Sequence, residues 1–178
     1  MARTANSLFR YLGYVTIALL VTIAPNTPAA SPDVTLKGLD GKDHRLSEYI
    51  GKGKWVVLNI WGPKCPPCVE EMPELQAFHD AHHDKTAIVV GMALDYPSFG
   101  YAKIDQVAKF VDENFITYPI LLGDSEIVAK FGGNPLRGTP TSLVYNRKGE
   151  LVAEQVGMVT RKIIEDFISR YEEKSERP

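Results

Sequence analysis

Hydrophobic residues along the chain change period several times, and each change marks an element. Over Asp33 to Leu46, apolar Val34, Leu36 and Leu39 alternate with polar neighbours around Asp40-Gly41, which predicts two short strands joined by a two-residue hairpin turn. Trp55 to Trp61 is an almost continuous apolar, β-branched run, as expected of a strand covered on both faces. From Cys68 the period lengthens: Met72, Leu75, Phe78 and His82 follow helical spacing, so a helix opens at the cysteines and runs to about His83, with a kink expected at Pro73. Thr86 to Leu94 reads as another buried strand. Lys103 to Phe115 is an amphipathic helix through Val107, Phe110 and Val111. A strand-like piece over Tyr118 to Leu122 precedes a small helix over Ser125 to Phe131, stopped by Gly132-Gly133. Ser142 to Tyr145 and Leu151 to Val156 form strands joined by a turn at Asn146 to Gly149, and a last helix, about Thr160 to Glu173, aligns Ile163, Ile164, Phe167, Ile168 and Tyr171 on one face. Strand-helix-strand units followed by a hairpin and a closing helix give an α/β fold with a mixed central sheet flanked by helices.

The chain has 178 residues, enough for one folded domain. With 20 basic and 22 acidic side chains, the net charge of −2 offers no basic surface for nucleic acid. Residues 1–30 stand apart. They carry no acid, only Arg3 and Arg10 as charges, then the uncharged run Tyr11 to Ala24 and the small residues Thr27, Ala29 and Ala30. That order is the one a secretory signal needs. As a helix the run extends about 21 Å, short of a hydrocarbon core about 30 Å thick. Residues 1–30 are therefore read as a signal peptide, with an uncleaved membrane anchor as the alternative, and residues 31–178 as an exported domain.

The chain has two cysteines, Cys65 and Cys68, spaced as Cys-Pro-Pro-Cys where a strand turns into a helix. Export places them where oxidised thiols are permitted. A helix N-terminus favours the thiolate, the nucleophilic form. Cys65 is expected to attack and Cys68, one turn inside, to resolve the mixed disulfide. Pro66 and Pro67 lack backbone N–H groups, so the thiolate loses two potential donors. This points to a pair that is hard to reduce, and hence to a reductant.

These residues carry a resemblance. Leu39-Asp40-Gly41-Lys42, Gly53 through Trp61, Cys65 through Pro73, Tyr118 through Asp124, Gly138-Thr139-Pro140-Thr141 and Arg147-Lys148-Gly149 are similar, in that order, to the TlpA/ResA/DsbE group of exported thioredoxin-like thiol-disulfide oxidoreductases. The likeness covers residues 33–170. It implies a thioredoxin-like fold with an N-terminal β-hairpin and a family insert around residues 95–122. It also implies a redox cycle needing no cofactor beyond the cysteine pair, and no metal. Members typically keep target cysteines reduced outside the cytoplasm, often those of apocytochrome c. Partners are thus disulfide-containing exported proteins and a membrane-embedded thiol donor, with the chain itself a monomer. Carried over by position, Glu71 matches the family's buried acid, a proton acceptor for Cys68, and Pro140 matches its cis-proline, with Thr139 offering backbone to an extended substrate. Asn59 stands where thioredoxins carry a buried acid. Trp61, Lys64, Pro66, Pro67, Thr139 and Pro140 are the expected substrate contacts. Lys64 departs from the pattern, since the family usually has Trp there. It trades apolar contact area for a cation beside Cys65.

Three other readings compete. Cys65, Cys68, His79 and His83 superficially follow zinc-finger spacing, but Cys68 and His79 lie roughly 16 Å apart along a continuous helix. His79, His82 and His83 are then surface histidines, and copper delivery by the thiol pair with a distant His is the remaining metal-binding alternative. A peroxidase site would need Thr or Ser where Gly62 stands. Oxidase or isomerase work uses the same dithiol, since potentials and partners set its direction. Tyr96, Phe99 and Tyr101 in the insert are either a partner-binding rim or packing.

Overall fold

The computed structural model describes residues 33–94, 104–132, 135–175 and 177. Residues 1–30, and Tyr96, Phe99 and Tyr101 of the insert, lie outside the described residues. Seven strands form one mixed sheet: β1 (Thr35–Gly38), β2 (Asp43–Arg45), β3 (Trp55–Trp61), β4 (Ala87–Leu94), β5 (Ile120–Gly123), β6 (Thr141–Tyr145) and β7 (Leu151–Val156). Their spatial order is β2-β1-β5-β4-β3-β6-β7. β3, β4 and β5 run parallel, and the strands outside them pair antiparallel. Every residue of β3 is buried, as its unbroken apolar run requires.

Among the described residues four helices cover the sheet: α1 (Pro66–His82), α2 (Ile104–Glu113), α3 (Ser125–Gly132) and α4 (Arg161–Ser175). One face buries Met72, Leu75 and Phe78 of α1 with Val107 of α2 and Ile164 of α4. The other buries Leu46 and Ile50 with Val128 and Phe131 of α3. The sheet is thus sandwiched, in a thioredoxin-like arrangement.

Two local expectations are corrected. Asp40-Gly41 lies inside a four-residue loop rather than making a two-residue turn: Lys37 pairs with Asp43, and the Gly38 N–H donates to the Lys42 carbonyl at 2.8 Å. Gly41, at φ 76°, supplies the left-handed residue this loop needs. On α4, Ile163 is 53% exposed, because the packed face is set by Ile164, Phe167, Ile168 and Tyr171 and a position next to Ile164 turns outward. α1 continues through Pro73, which lies on its exposed side.

Candidate active site

β3 ends at Trp61, and Gly62-Pro63-Lys64 carries the chain to Cys65, the N-cap of α1. Pro66 and Pro67 occupy the first two helical positions, where a missing N–H costs the helix nothing and the fixed φ suits it. The Val69 N–H donates to the Cys65 carbonyl at 3.1 Å. Of the first helical turn, only the Cys68 N–H is therefore left to face a thiolate, so the helix end stabilises negative charge weakly.

Cys65 and Cys68 form a disulfide with Cα atoms 5.2 Å apart. Cys65 is the more accessible of the two, though only 3% exposed against 0% for Cys68. The Thr139 hydroxyl donates to Cys65 Sγ at 3.5 Å, and the Thr139–Pro140 peptide is cis. Pro140 is buried beside this contact, and its carbonyl accepts from Gly157 N–H at 2.8 Å, tying the loop to the end of β7. Lys64 and Pro66 are exposed, and Pro67 and Thr139 are half-buried.

Glu71 lies one turn beyond Cys68, on the same face of α1. Its side chain is fully buried, unlike the exposed Glu70 and Glu74. Oε1 accepts from Asn59 Nδ2 at 2.8 Å, and Oε2 from the Val159 N–H at 2.9 Å. Burial raises the proton affinity of this carboxyl above that of an ordinary glutamate, and the two donors, Val159 first, hold it partly down. Asn59 also donates to Ser142 Oγ at 3.1 Å, linking β3, β6 and α1. The arrangement thus presents the slightly more accessible sulfur of Cys65, the fully buried Cys68, and a buried carboxyl one helical turn beyond Cys68.

Trp61, expected among the substrate contacts, is fully buried and packs against Phe110 of α2 with ring centroids 5.3 Å apart. It is the last residue of a two-sided strand and shares the inward face of Val57 and Asn59, so it supports the site from below. Its approach depends on Gly91 in β4, where a Cβ would lie 3.0 Å from Trp61 Nε1 and 2.6 Å from Ile120 Cδ1. Sequence reasoning missed the contact between Asn59 and Glu71. The available signal was an amide in the middle of a wholly apolar strand, which demands a buried partner.

One of the three histidines is also corrected. His79 is 6% exposed rather than a surface residue, and its Nδ1 accepts from the Val89 N–H at 3.2 Å. His82 contacts Glu165 at 2.9 Å and Thr86 at 3.2 Å. Among the described residues no group of three or more His, Cys, Asp and Glu side chains is placed to hold a metal ion.

A redox-active Cys-x-x-Cys pair at the start of a helix, on a thioredoxin-like sheet, defines a thiol-disulfide oxidoreductase. Comparison with known proteins agrees. The sequence pattern of the AhpC/TSA family matches residues 28–154. The thiol-disulfide oxidoreductase ResA of Halalkalibacterium halodurans is 30% identical over 134 residues, 75% of this chain and 70% of that protein. The thioredoxin-like protein YneN of Bacillus subtilis is 33% identical over 135 residues, 76% of this chain and 74% of that protein. Among solved structures, a DsbF homologue from Corynebacterium diphtheriae superposes with a TM-score of 0.67 at 31% identity, covering 80% of this chain and 86% of that one. The chain belongs to the AhpC/TSA family, in its TlpA/ResA/DsbE-like branch, and is an enzyme of thiol-disulfide exchange.

Proposed function

We propose that this enzyme works outside the cytoplasm as a protein-disulfide reductase, cycling Cys65 and Cys68 between dithiol and disulfide. The Cys65 thiolate attacks a partner disulfide, forming a mixed disulfide and releasing the first partner sulfur as a thiolate that takes up a proton. Cys68 passes its proton to the Glu71 carboxylate and attacks Cys65 Sγ, which expels the second partner sulfur and closes the Cys65–Cys68 bond. Two electrons thereby move from the pair to the partner. No metal, flavin or nucleotide takes part. A membrane-embedded thiol donor recharges the pair, and the substrates are exported proteins with oxidised cysteines, apocytochrome c before haem attachment among them. The protein acts as a monomer, delivered by its first thirty residues as a signal peptide or held by them as an anchor.

One observation carries the reductive direction. Among the described residues, the two prolines leave the first turn of α1 a single free N–H, that of Cys68, to face the Cys65 sulfur, with the Thr139 hydroxyl beside it, so the helix end stabilises the reduced form weakly. Strong oxidants of this fold depend on the opposite, a stabilised thiolate. The test is capture. Cys68→Ser cannot resolve, so it accumulates mixed disulfides with exported proteins, whereas Cys65→Ser captures none and has no turnover. Failure of the Cys68→Ser protein to trap any exported protein would contradict the reading.

A further inference from the structure

Immediately before the attacking sulfur, the chain places a cation beside an open groove. The groove, about 300 Å³, is lined by Pro63, Lys64, Gln106, Lys109, Phe110 and Glu113, so it lies between the turn that precedes Cys65 and the side of α2. Phe110 supplies its apolar wall, since its half-buried ring is backed by the indole of Trp61. Three charges line it, and two are paired: Lys109 Nζ lies 3.7 Å from Glu113 Oε1 along α2. Lys64 is exposed and makes no ion pair or hydrogen bond with any described residue. Among the described residues the groove therefore has an apolar wall and one positive charge without an ion-pair partner, adjacent in sequence to Cys65.

We propose that this groove receives the segment flanking the target cysteine of a substrate disulfide, and that Lys64 selects an acidic side chain there. The preferred substrate is then a disulfide with Asp or Glu next to the attacked cysteine. This deepens the reductase reading of the same site and rests on it. The ammonium of Lys64 sits on a flexible stem one residue from the nucleophile, within reach of side chains neighbouring the sulfur under attack. The chain as a whole is at −2, so the preference is local to the groove and not a long-range attraction for acidic partners. A rim charge of this kind acts on encounter and is screened by salt.

The test uses the purified, pre-reduced protein and two peptides differing only in Asp or Lys beside the single cysteine, each presented as its mixed disulfide with 2-mercaptoethanol. Second-order rate constants for disulfide reduction are compared as a ratio, which cancels any change in the reactivity of Cys65 itself. The ratio is expected to favour the Asp peptide by about three-fold at low salt, the size of one exposed ion pair, and to approach one at about 0.5 M NaCl. Lys64→Gln should bring it near one at every salt concentration, and Lys64→Glu should invert it, a total swing of about ten-fold. A wild-type ratio of one at low salt, or the same ratio in Lys64→Glu as in wild type, would overturn the proposal. If neither peptide nor neutral hydroxyethyl disulfide is reduced, the reductase reading fails and takes this proposal with it.

Discussion

Asn59 and Glu71 meet side chain to side chain, 2.8 Å from Nδ2 to Oε1, with neither exposed to solvent. An ionisable group in such a place affects both stability and chemistry. Burial raises the carboxyl's proton affinity, so the folded state binds this proton more readily than the unfolded chain does. Its contribution to stability is therefore present at low pH and is lost as pH rises through the folded-state value. Comparison of urea unfolding for wild type and Glu71→Gln should show the variant gaining relative stability from about pH 4 upward. A difference independent of pH would mean that Glu71 does not titrate as a buried group.

In the proposed cycle the same pair governs the second chemical step. Glu71→Gln removes the proton acceptor behind Cys68 and should slow resolution of the mixed disulfide by about a hundred-fold, with little change in the first attack. Asn59→Ala removes one donor that favours the carboxylate, so it should move the pH profile of resolution upward. Single-turnover reduction of a peptide disulfide separates the two steps.

Thr139 touches the other sulfur. Its hydroxyl lies 3.5 Å from Cys65 Sγ, and in the reduced enzyme it is placed to donate to the thiolate. Thr139→Val keeps the shape and removes the donor. Alkylation of reduced Cys65 by iodoacetamide at neutral pH should slow by about three- to ten-fold, the worth of one hydrogen bond of about 1 kcal/mol.

His79 gives the fold an acid-sensitive point. Burial, and then the charge of His83 stacked 4.9 Å away, lower its proton affinity, with Lys54 adding to the effect and Asp80 opposing it. Its Nδ1 must stay unprotonated to accept from Val89. The unfolded chain binds this proton more readily than the folded one, so stability falls as pH drops below about 6.5. His79→Gln, whose amide oxygen replaces the acceptor, should flatten that part of the stability curve.

Trp55 pins the closing helix. Its indole N–H donates to Glu172 Oε1 at 2.8 Å, and Arg147 Nε donates to the same oxygen at 3.0 Å. The Trp55 bond comes first among the causes that hold the Glu172 carboxyl below its ordinary value. A depressed carboxylate stabilises at neutral pH and loses that contribution as pH falls through its folded-state value. Trp55→Phe should cost about 1 kcal/mol at pH 7 by urea unfolding, and less near pH 3.

Periodicity made most of the elements legible, because strands such as Trp55–Trp61 and helices such as Ile104–Glu113 bury faces that the sequence itself displays. The attacking pair was legible for a different reason, since Cys-Pro-Pro-Cys at a strand-to-helix junction needs only local chain geometry to bring its sulfurs together. What escaped depended on distant partners. Trp61 shows an aromatic beside the active turn but not which way it faces, and the parity of a strand covered on both sides is invisible to hydrophobicity. His79 reads as a polar residue on a helix, and only the register of β4 against α1 turns it into an acceptor for Val89. Glu71 was found by resemblance. Its partners Asn59 and Val159 lie 12 and 88 residues away and leave no local trace.

The most direct test of the reductive reading is the reduction potential of the Cys65–Cys68 couple in the purified protein, set against defined thiol buffers with free thiols counted. The account predicts a value near or below about −230 mV, on the thioredoxin side of the range. A value of about −120 to −180 mV would contradict it and make the enzyme an oxidant or isomerase.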